Sequence, residues 1–125
     1  MLEVADLIGI PFVEFGRDIN TGLDCYGLAI EVEKILGKKL NDVVLEKFDY
    51  AKVKATLPGL NVKKTDVIKE GVILEFYGLK DKRLHVGVAL DNNTFIHATE
   101  NQGVRISTLT TCKQYLKFEQ AYEVL

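Results

Sequence analysis

The clearest hydrophobic pattern in the chain is that of an amphipathic helix beginning at Cys25. Apolar residues occupy positions 28, 32, 35 and 36, at helical intervals. Asp24 is a suitable N-cap and Gly37 a suitable C-terminal stop. The sequence therefore predicts a helix whose first turn contains Cys25. A weaker pattern over residues 2–8 predicts a short helix, followed by an extended segment through residue 15 and a loop over residues 16–22.

The second half of the chain has the alternating pattern of strands. We predict strands over residues 72–77, 84–90, 94–99, 104–109 and 118–124. The tripeptide Asp-Asn-Asn at 91–93 suits a tight turn, so the second and third strands form a β-hairpin. Residues 38–70 show no strong period, and we assign one irregular or helical segment there. Helices followed by a meander of strands indicate an α+β domain with an antiparallel sheet.

Size and composition exclude several classes of protein. The 125 residues, 47% of them hydrophobic and 27% charged, are typical of one globular domain, so we expect residues 1–125 to form a single domain. A net charge of −2 and the lack of a basic stripe argue against nucleic acid as a partner. No apolar run approaches about 18 residues, so we expect no membrane span. The acidic N-terminal residues do not resemble an export signal, and we expect synthesis in the cytoplasm.

The two cysteines are the first candidates for chemistry. Cys25 and Cys112 have no paired spacing typical of zinc sites or disulfide scaffolds, so we expect no metal and no cofactor. Cys25 lies at the positive end of a helix dipole, which favours the thiolate and lowers a pKa that starts near about 8.5. Asp24 acts in the opposite direction unless its carboxylate caps the helix. A small buried hydrophobe is the alternative role for Cys25, and we expect Cys112 to be structural.

The only two histidines of the chain lie on the predicted hairpin. If the turn comprises residues 91–93, position 90 pairs with 94, Gly87 lies opposite His97, and His85 is the diagonal neighbour of His97. The two imidazoles then share a face with Gly87 and Ala89, whose small side chains leave space for the end of a helix. A two-residue turn would destroy this arrangement.

A nucleophile, a base and a group that orients the base are the requirements for covalent acyl transfer. Cys25, His85 and His97 meet these requirements in that order. Two other interpretations remain open beside the catalytic one. The histidines are structural or solvent-exposed, or the three residues form a Cys-His-His zinc site, which would need a fourth ligand or water.

Two segments resemble the NlpC family of papain-like peptidases. They are residues 22–28, Gly-Leu-Asp-Cys-Tyr-Gly-Leu, and residues 85–98, which run from His85 to one residue beyond His97; the likeness extends to residues 9–12 and 103–106. The resemblance implies a papain-like fold with the nucleophile at a helix N-terminus packed on an antiparallel sheet. It implies hydrolysis of peptide bonds in bacterial cell-wall stem peptides, typically between D-glutamate and a diamino acid. Cys25, His85 and His97 would be its cysteine, histidine and third polar residue.

The Gly-Arg-Asp loop at 16–18 and the Cys-aromatic-Gly-Leu motif at 25–28 look most similar to the phage and prophage branch of that family. This resemblance implies phage tail proteins as partners and association with the virion. An inactive tail component of the same fold, or an acyltransferase or deamidase, is the alternative. Glu14, Arg17 and Asp18 are interpreted as solvated loop residues, and the residues that bind substrate are not identified.

The chain departs from the family pattern at three places. Phe12 stands where many members have a tyrosine whose hydroxyl helps to hold the oxyanion. Tyr26 replaces a serine that often follows the nucleophile, and the pair Gly71-Val72 stands where glycine-aspartate is common. None of these changes affects Cys25 or the histidines.

Overall fold

The computed structural model of the chain describes residues 2–42 and 60–125. Within them the elements are, in chain order, a 3₁₀ helix (Val4–Leu7), β1 (Arg17–Asp18), β2 (Gly22–Leu23), α1 (Cys25–Ile35), β3 (Val62–Thr65), β4 (Ile73–Gly78), β5 (Leu84–Ala89), β6 (Thr94–Thr99), β7 (Gly103–Thr108), α2 (Leu109–Cys112) and β8 (Leu116–Val124). The helix at Cys25 and the five predicted strands are confirmed, with ends that shift by about two residues at most. None of the described helices combines the length and apolar character needed to cross a membrane.

The described strands of the second half form one six-stranded sheet in the order β3-β8-β4-β5-β6-β7. All its neighbouring strands are antiparallel, which confirms the predicted α+β class. The last strand, β8, lies between β3 and β4, so the end of the chain is held inside the sheet. β1 and β2 form a separate two-stranded ribbon just before α1.

Two predictions for the less patterned segments were wrong. The stretch 38–70, assigned as one irregular or helical segment, contains the strand β3, whose residue Val62 pairs with Val124 of β8. Residues 43–59 of that stretch lie outside the described residues. The helix predicted over residues 2–8 is only a 3₁₀ turn with Leu7 as its one buried residue, because a single inward side chain gives a longer helix no apolar face to bury.

The sheet has a different hydrophobic cluster on each face. On one face α1 packs with Leu28 and Val32 against an aliphatic cluster that includes Val86 and Val88 of β5. The other face carries Ala89 with a second cluster, which includes Phe76, Phe95 and Cys112 of α2. The body of α1 therefore packs on the face of β5 opposite to Ala89, since that branched aliphatic face offers more apolar surface to the helix.

Gly87 makes room within the hairpin rather than for a helix. A Cβ atom at this position would lie 2.9 Å from Cδ2 of Phe95 and 3.4 Å from Cβ of His97. The missing side chain thus leaves room for the ring of Phe95 and for Cβ of His97 beside β5.

Candidate active site

The start of α1 is fixed by the side chain of Asp24. Its Oδ1 accepts a hydrogen bond of 2.7 Å from the backbone N–H of Gly27, which makes Asp24 the N-cap and Cys25 the first residue of the helix. Gly27 has no Cβ because one would overlap the carbonyl oxygen of Gly16. The loop before the helix therefore packs directly on its first turn, and the position of Cys25 is held from both sides.

Arg17 holds this arrangement together. Its Nη1 donates to Oδ1 of Asp24 at 2.7 Å and to the carbonyl oxygen of Gly16 at 2.9 Å, and its Nε lies 3.0 Å from Oδ2 of Asp42. The guanidinium carbon lies 5.7 Å from the ring centroid of Tyr26. The interpretation of Arg17 as a solvated loop residue was therefore wrong. Asp18 does behave as an exposed turn residue, its Oδ1 accepting from the backbone of Asn20 at 2.8 Å.

The hairpin has the predicted register. Val88 pairs with Ile96 and Ala89 with Phe95, which places the turn at residues 91–93. Nε2 of His85 and Nδ1 of His97 are 2.7 Å apart, a hydrogen-bonding distance, and the two rings meet edge-on at 79°. The prediction that both imidazoles share a face is confirmed. His97 is fully buried.

Cys25, His85 and His97 line one cavity of about 470 Å³. The cavity lies where β4 ends and β5 begins, so Cys25 reaches it from the α1 side and the histidines from the hairpin. Phe12 forms part of its wall. Its lining includes four charged residues of both signs, Lys80, Asp81, Arg83 and Glu100. The three candidate residues are thus brought to a single space that is large enough for a segment of peptide.

Burial makes the thiol and both imidazoles neutral at pH 7. It raises the pKa of Cys25 to about 12, and the carboxylate of Asp24 adds to the rise although that carboxylate also caps the helix. The backbone of Val86 and the charge of Arg17 act in the opposite direction with smaller effect. The expectation of a lowered pKa at Cys25 was wrong, because the loss of water around the thiolate outweighs the effects that favour it.

The histidines respond to burial in the same way. It lowers the pKa of His85 to about 4, against a smaller opposing effect from Asp81. Burial also lowers the pKa of His97, and the charges of His85 and Arg105 add to that decrease. Each ring therefore carries one proton at neutral pH, and the position of that proton matters for chemistry.

The short distance between the rings does not suit a zinc site. Two nitrogens bound to one zinc ion at about 2.0–2.1 Å in tetrahedral geometry lie about 3.3 Å apart. The separation of Nε2 of His85 and Nδ1 of His97 is 2.7 Å, which fits a hydrogen bond instead. The described residues contain no cluster of three or more His, Cys, Asp or Glu that could hold a metal ion.

The family model of NlpC/P60 matches residues 9–120 of the chain. The chain belongs to the NlpC/P60 family. Members of this family are generally peptidoglycan hydrolases. No curated protein is significantly similar to this sequence.

Two solved structures share the NlpC/P60 fold seen here. The NlpC/p60 domain of the peptidoglycan hydrolase SagA has 22% sequence identity and a TM-score of 0.62, over 97% of this chain and 92% of that one. A Staphylococcus aureus protein described as similar to a lipoprotein of the NLP/P60 family has 21% identity and a TM-score of 0.67. That match covers 98% of this chain and 39% of the other, so this chain spans well under half of the S. aureus protein.

One polar residue of this NlpC/P60 site was missed in the sequence. Oγ of Ser107 lies 2.8 Å from Nε2 of His97, and Ser107 is 8% exposed. Ser107 on β7 pairs with Phe95, which makes it the diagonal neighbour of His97. The alternation of β7 and its pairing with β6 are the signals that point to Ser107.

Cys112 lies away from this site of the NlpC/P60 protein. It is a free, buried thiol in α2, and its Sγ lies 3.5 Å from the carbonyl oxygen of Leu109. It packs in the second hydrophobic cluster with Phe76 and Phe95. The expected structural role, with no disulfide to Cys25, agrees with this position.

Proposed function

We propose that this chain is a cysteine peptidase that hydrolyses an amide bond in peptidoglycan stem peptides, with Cys25 as nucleophile, His85 as general base and His97 as the group that orients His85. The observation that carries the proposal is the convergence of these three residues on one cavity, with His85 held against His97 at 2.7 Å. Cys25 supplies the nucleophile at the start of α1, where the first backbone N–H groups have no partner within the helix.

The proposed reaction starts from a neutral thiol and a neutral imidazole. Nδ1 of His85 takes no part in the bond to His97, so it is the nitrogen that receives the proton of Cys25 as the sulfur attacks the amide carbonyl. His85 then gives this proton to the leaving amine, and a thioester forms on Cys25. A water molecule, deprotonated by His85, hydrolyses the thioester, releases the carboxyl product and restores the thiol.

The neutral ground state has a consequence for this mechanism. A thiol with a pKa of about 12 does not give its proton to an imidazole with a pKa of about 4 before the substrate binds. Proton transfer therefore accompanies attack on the carbonyl. The developing charges are stabilised as they form, with the backbone N–H of Cys25 at the helix N-terminus as the donor proposed for the oxyanion.

The choice of a stem peptide as substrate rests on the family and on the cavity. The SagA domain, which has the same fold, belongs to a peptidoglycan hydrolase. Stem peptides carry free carboxylates and an amine, and the cavity lining includes Lys80, Asp81, Arg83 and Glu100. Charges of both signs suit such a ligand.

The test is hydrolysis of a defined stem peptide by the purified chain, with products read by mass spectrometry. Cys25→Ala is expected to abolish cleavage, and His85→Ala to slow it by about 10²- to 10⁴-fold. Cys112→Ala is the matched control, because it removes the other free and buried thiol and should cleave normally. A thiol-directed probe built on the stem peptide, which places its electrophile where the amide carbonyl would lie, is expected to label Cys25 in the wild type.

The alternative functions give different results in the same assay. Cleavage only when an amine acceptor is added, with transfer of the acyl group to it, would indicate an acyltransferase. Neither cleavage nor labelling of a folded wild type would favour an inert component, for which Phe12 in the cavity wall is the supporting observation. Association with a phage tail rests on the resemblance of residues 16–18 and 25–28 alone, and mass spectrometry of induced phage particles tests it.

A further inference from the structure

The row of polar groups in this site does not end at His97. Nε2 of His97, which faces away from His85, lies 2.8 Å from Oγ of Ser107. We propose that Ser107 is a positioning residue that fixes the proton of His97 on Nε2 and, through that ring, the proton of His85 on Nε2. The catalytic consequence rests on the proposed function, whereas the position of the protons is a property of the folded chain itself.

The argument follows from which nitrogen must be free. For His85 to receive the thiol proton, Nδ1 must carry a lone pair, so its single proton has to be on Nε2. That N–H then donates to Nδ1 of His97, which must in turn be unprotonated. The proton of His97 is therefore on Nε2, and its only acceptor among the described residues is the hydroxyl oxygen of Ser107.

The opposite order of donors gives an unreactive site. If Ser107 donated its proton to Nε2 of His97, Nδ1 of His97 would donate to His85, and the proton of His85 would be on Nδ1. Nδ1 could then accept nothing from the thiol. The direction of a single hydroxyl thus separates a competent tautomer from an incompetent one.

Burial leaves Ser107 as the partner that the competent order requires. His97 is fully buried, so an N–H on its Nε2 has no route to water and requires the oxygen of Ser107. Arg105, which pairs with His97 across β6 and β7, disfavours a second positive charge on this ring. His97 therefore orients His85 as a neutral acceptor and does not take up the proton.

The closing experiment reads the protons directly by ¹⁵N NMR of the imidazole rings at pH 7. The chain has only two histidines, and His97→Gln assigns their signals. In the wild type, Nε2 of both rings is expected to be protonated and Nδ1 of both unprotonated. Ser107→Ala is expected to give a mixture of tautomers at His97, and Ser107→Thr, which keeps the hydroxyl, to restore the wild-type spectrum.

Kinetics with a stem peptide provides the second readout. Ser107→Ala should lower kcat by about tenfold with KM unchanged, in proportion to one lost buried hydrogen bond, and Ser107→Thr should recover most of the loss. A wild-type spectrum with either ring protonated on Nδ1 overturns the proposal, even if Ser107→Ala fails to fold. So does a Ser107→Ala variant with unchanged tautomers. If the spectra are as expected but neither the wild type nor the variants hydrolyse the stem peptide, the tautomer assignment stands and the proposed function fails.

Discussion

Asp24 combines two roles at the proposed nucleophile, and the substitution Asp24→Asn separates them. The amide oxygen of asparagine can still accept from the N–H of Gly27, so the helix keeps its cap. The negative charge next to Cys25 is lost. Because that charge is the second cause of the raised thiol pKa after burial, we expect the pKa of Cys25 to fall below its wild-type value of about 12. It should stay above the ordinary value near about 8.5, since burial remains.

The same substitution lowers stability by a predictable amount. The carboxylate of Asp24 is fully buried and lies 2.7 Å from Nη1 of Arg17. Removing the negative charge from the hydrogen bond between Asp24 and Arg17 should reduce the free energy of unfolding by about 1–3 kcal/mol. Asp42 still pairs with Arg17 and keeps its charge compensated, which favours the lower part of that range. Asp24→Ala, which also removes the cap, should cost about 1 kcal/mol more, as measured by urea denaturation.

The assay for the thiol is the pH dependence of its alkylation by iodoacetamide, measured in a Cys112→Ala background so that one thiol reacts. We expect the rate for the wild type to rise only well above pH 9, and the profile of Asp24→Asn to shift toward lower pH. A folded variant whose profile is unchanged would refute the electrostatic role of Asp24. A wild-type midpoint near about 8.5 would refute the argument from burial.

Three further predictions concern other parts of the molecule. Glu33 is fully buried, its carboxylate oxygens have no hydrogen-bond partner among the described residues, and burial raises its pKa from 4.5 to about 7. The stability contributed by protonated Glu33 is therefore present below about pH 4.5 and lost as the pH rises through 7. In urea denaturation, Glu33→Gln should be more stable than wild type by about 1–3 kcal/mol at pH 8, but not at pH 4. Phe12→Tyr should raise kcat for stem-peptide hydrolysis by up to about 10²-fold, because it restores an oxyanion donor at the cavity wall; an unchanged kcat would show that the hydroxyl does not reach the reacting carbonyl. Gly87→Ala should lower the free energy of unfolding by about 1–3 kcal/mol, since its Cβ would lie 2.9 Å from Phe95, and wild-type stability would contradict this view of the hairpin.

The parts of the site that sequence reasoning predicted are those set by neighbours along the chain. A three-residue turn determined the pairing of β5 with β6, and with it the contact between His85 and His97. The cap at Asp24 and the helix start at Cys25 are likewise local. These features follow from turn length and helix capping, which depend on a few adjacent residues.

The parts that were missed depend on residues distant in the chain. β3 is a strand only because β8, about 60 residues later, pairs with it, and its own sequence has a single buried residue. Arg17 is ordinary in a loop sequence and gains its role from Asp24 and Asp42 together. The contact of Ser107 with His97 depends on the register between β6 and β7.

The pKa of Cys25 shows how a local effect and a long-range effect oppose each other at one atom. The helix N-terminus favours the thiolate, whereas packing of the sheet and loop around Cys25 removes the water that would stabilise it, and burial is the larger effect. The proposed nucleophile is thus protonated until a carbonyl is in place to share the charge. A small electrophile does not fill the site as a peptide substrate does, so it should react slowly with Cys25 at pH 7. A bound peptide should be cleaved faster than the low reactivity of the free thiol would indicate. A wild-type enzyme whose alkylation at pH 7 is as fast as that of an exposed cysteine would contradict coupled proton transfer, because its thiolate would already be formed before any substrate bound.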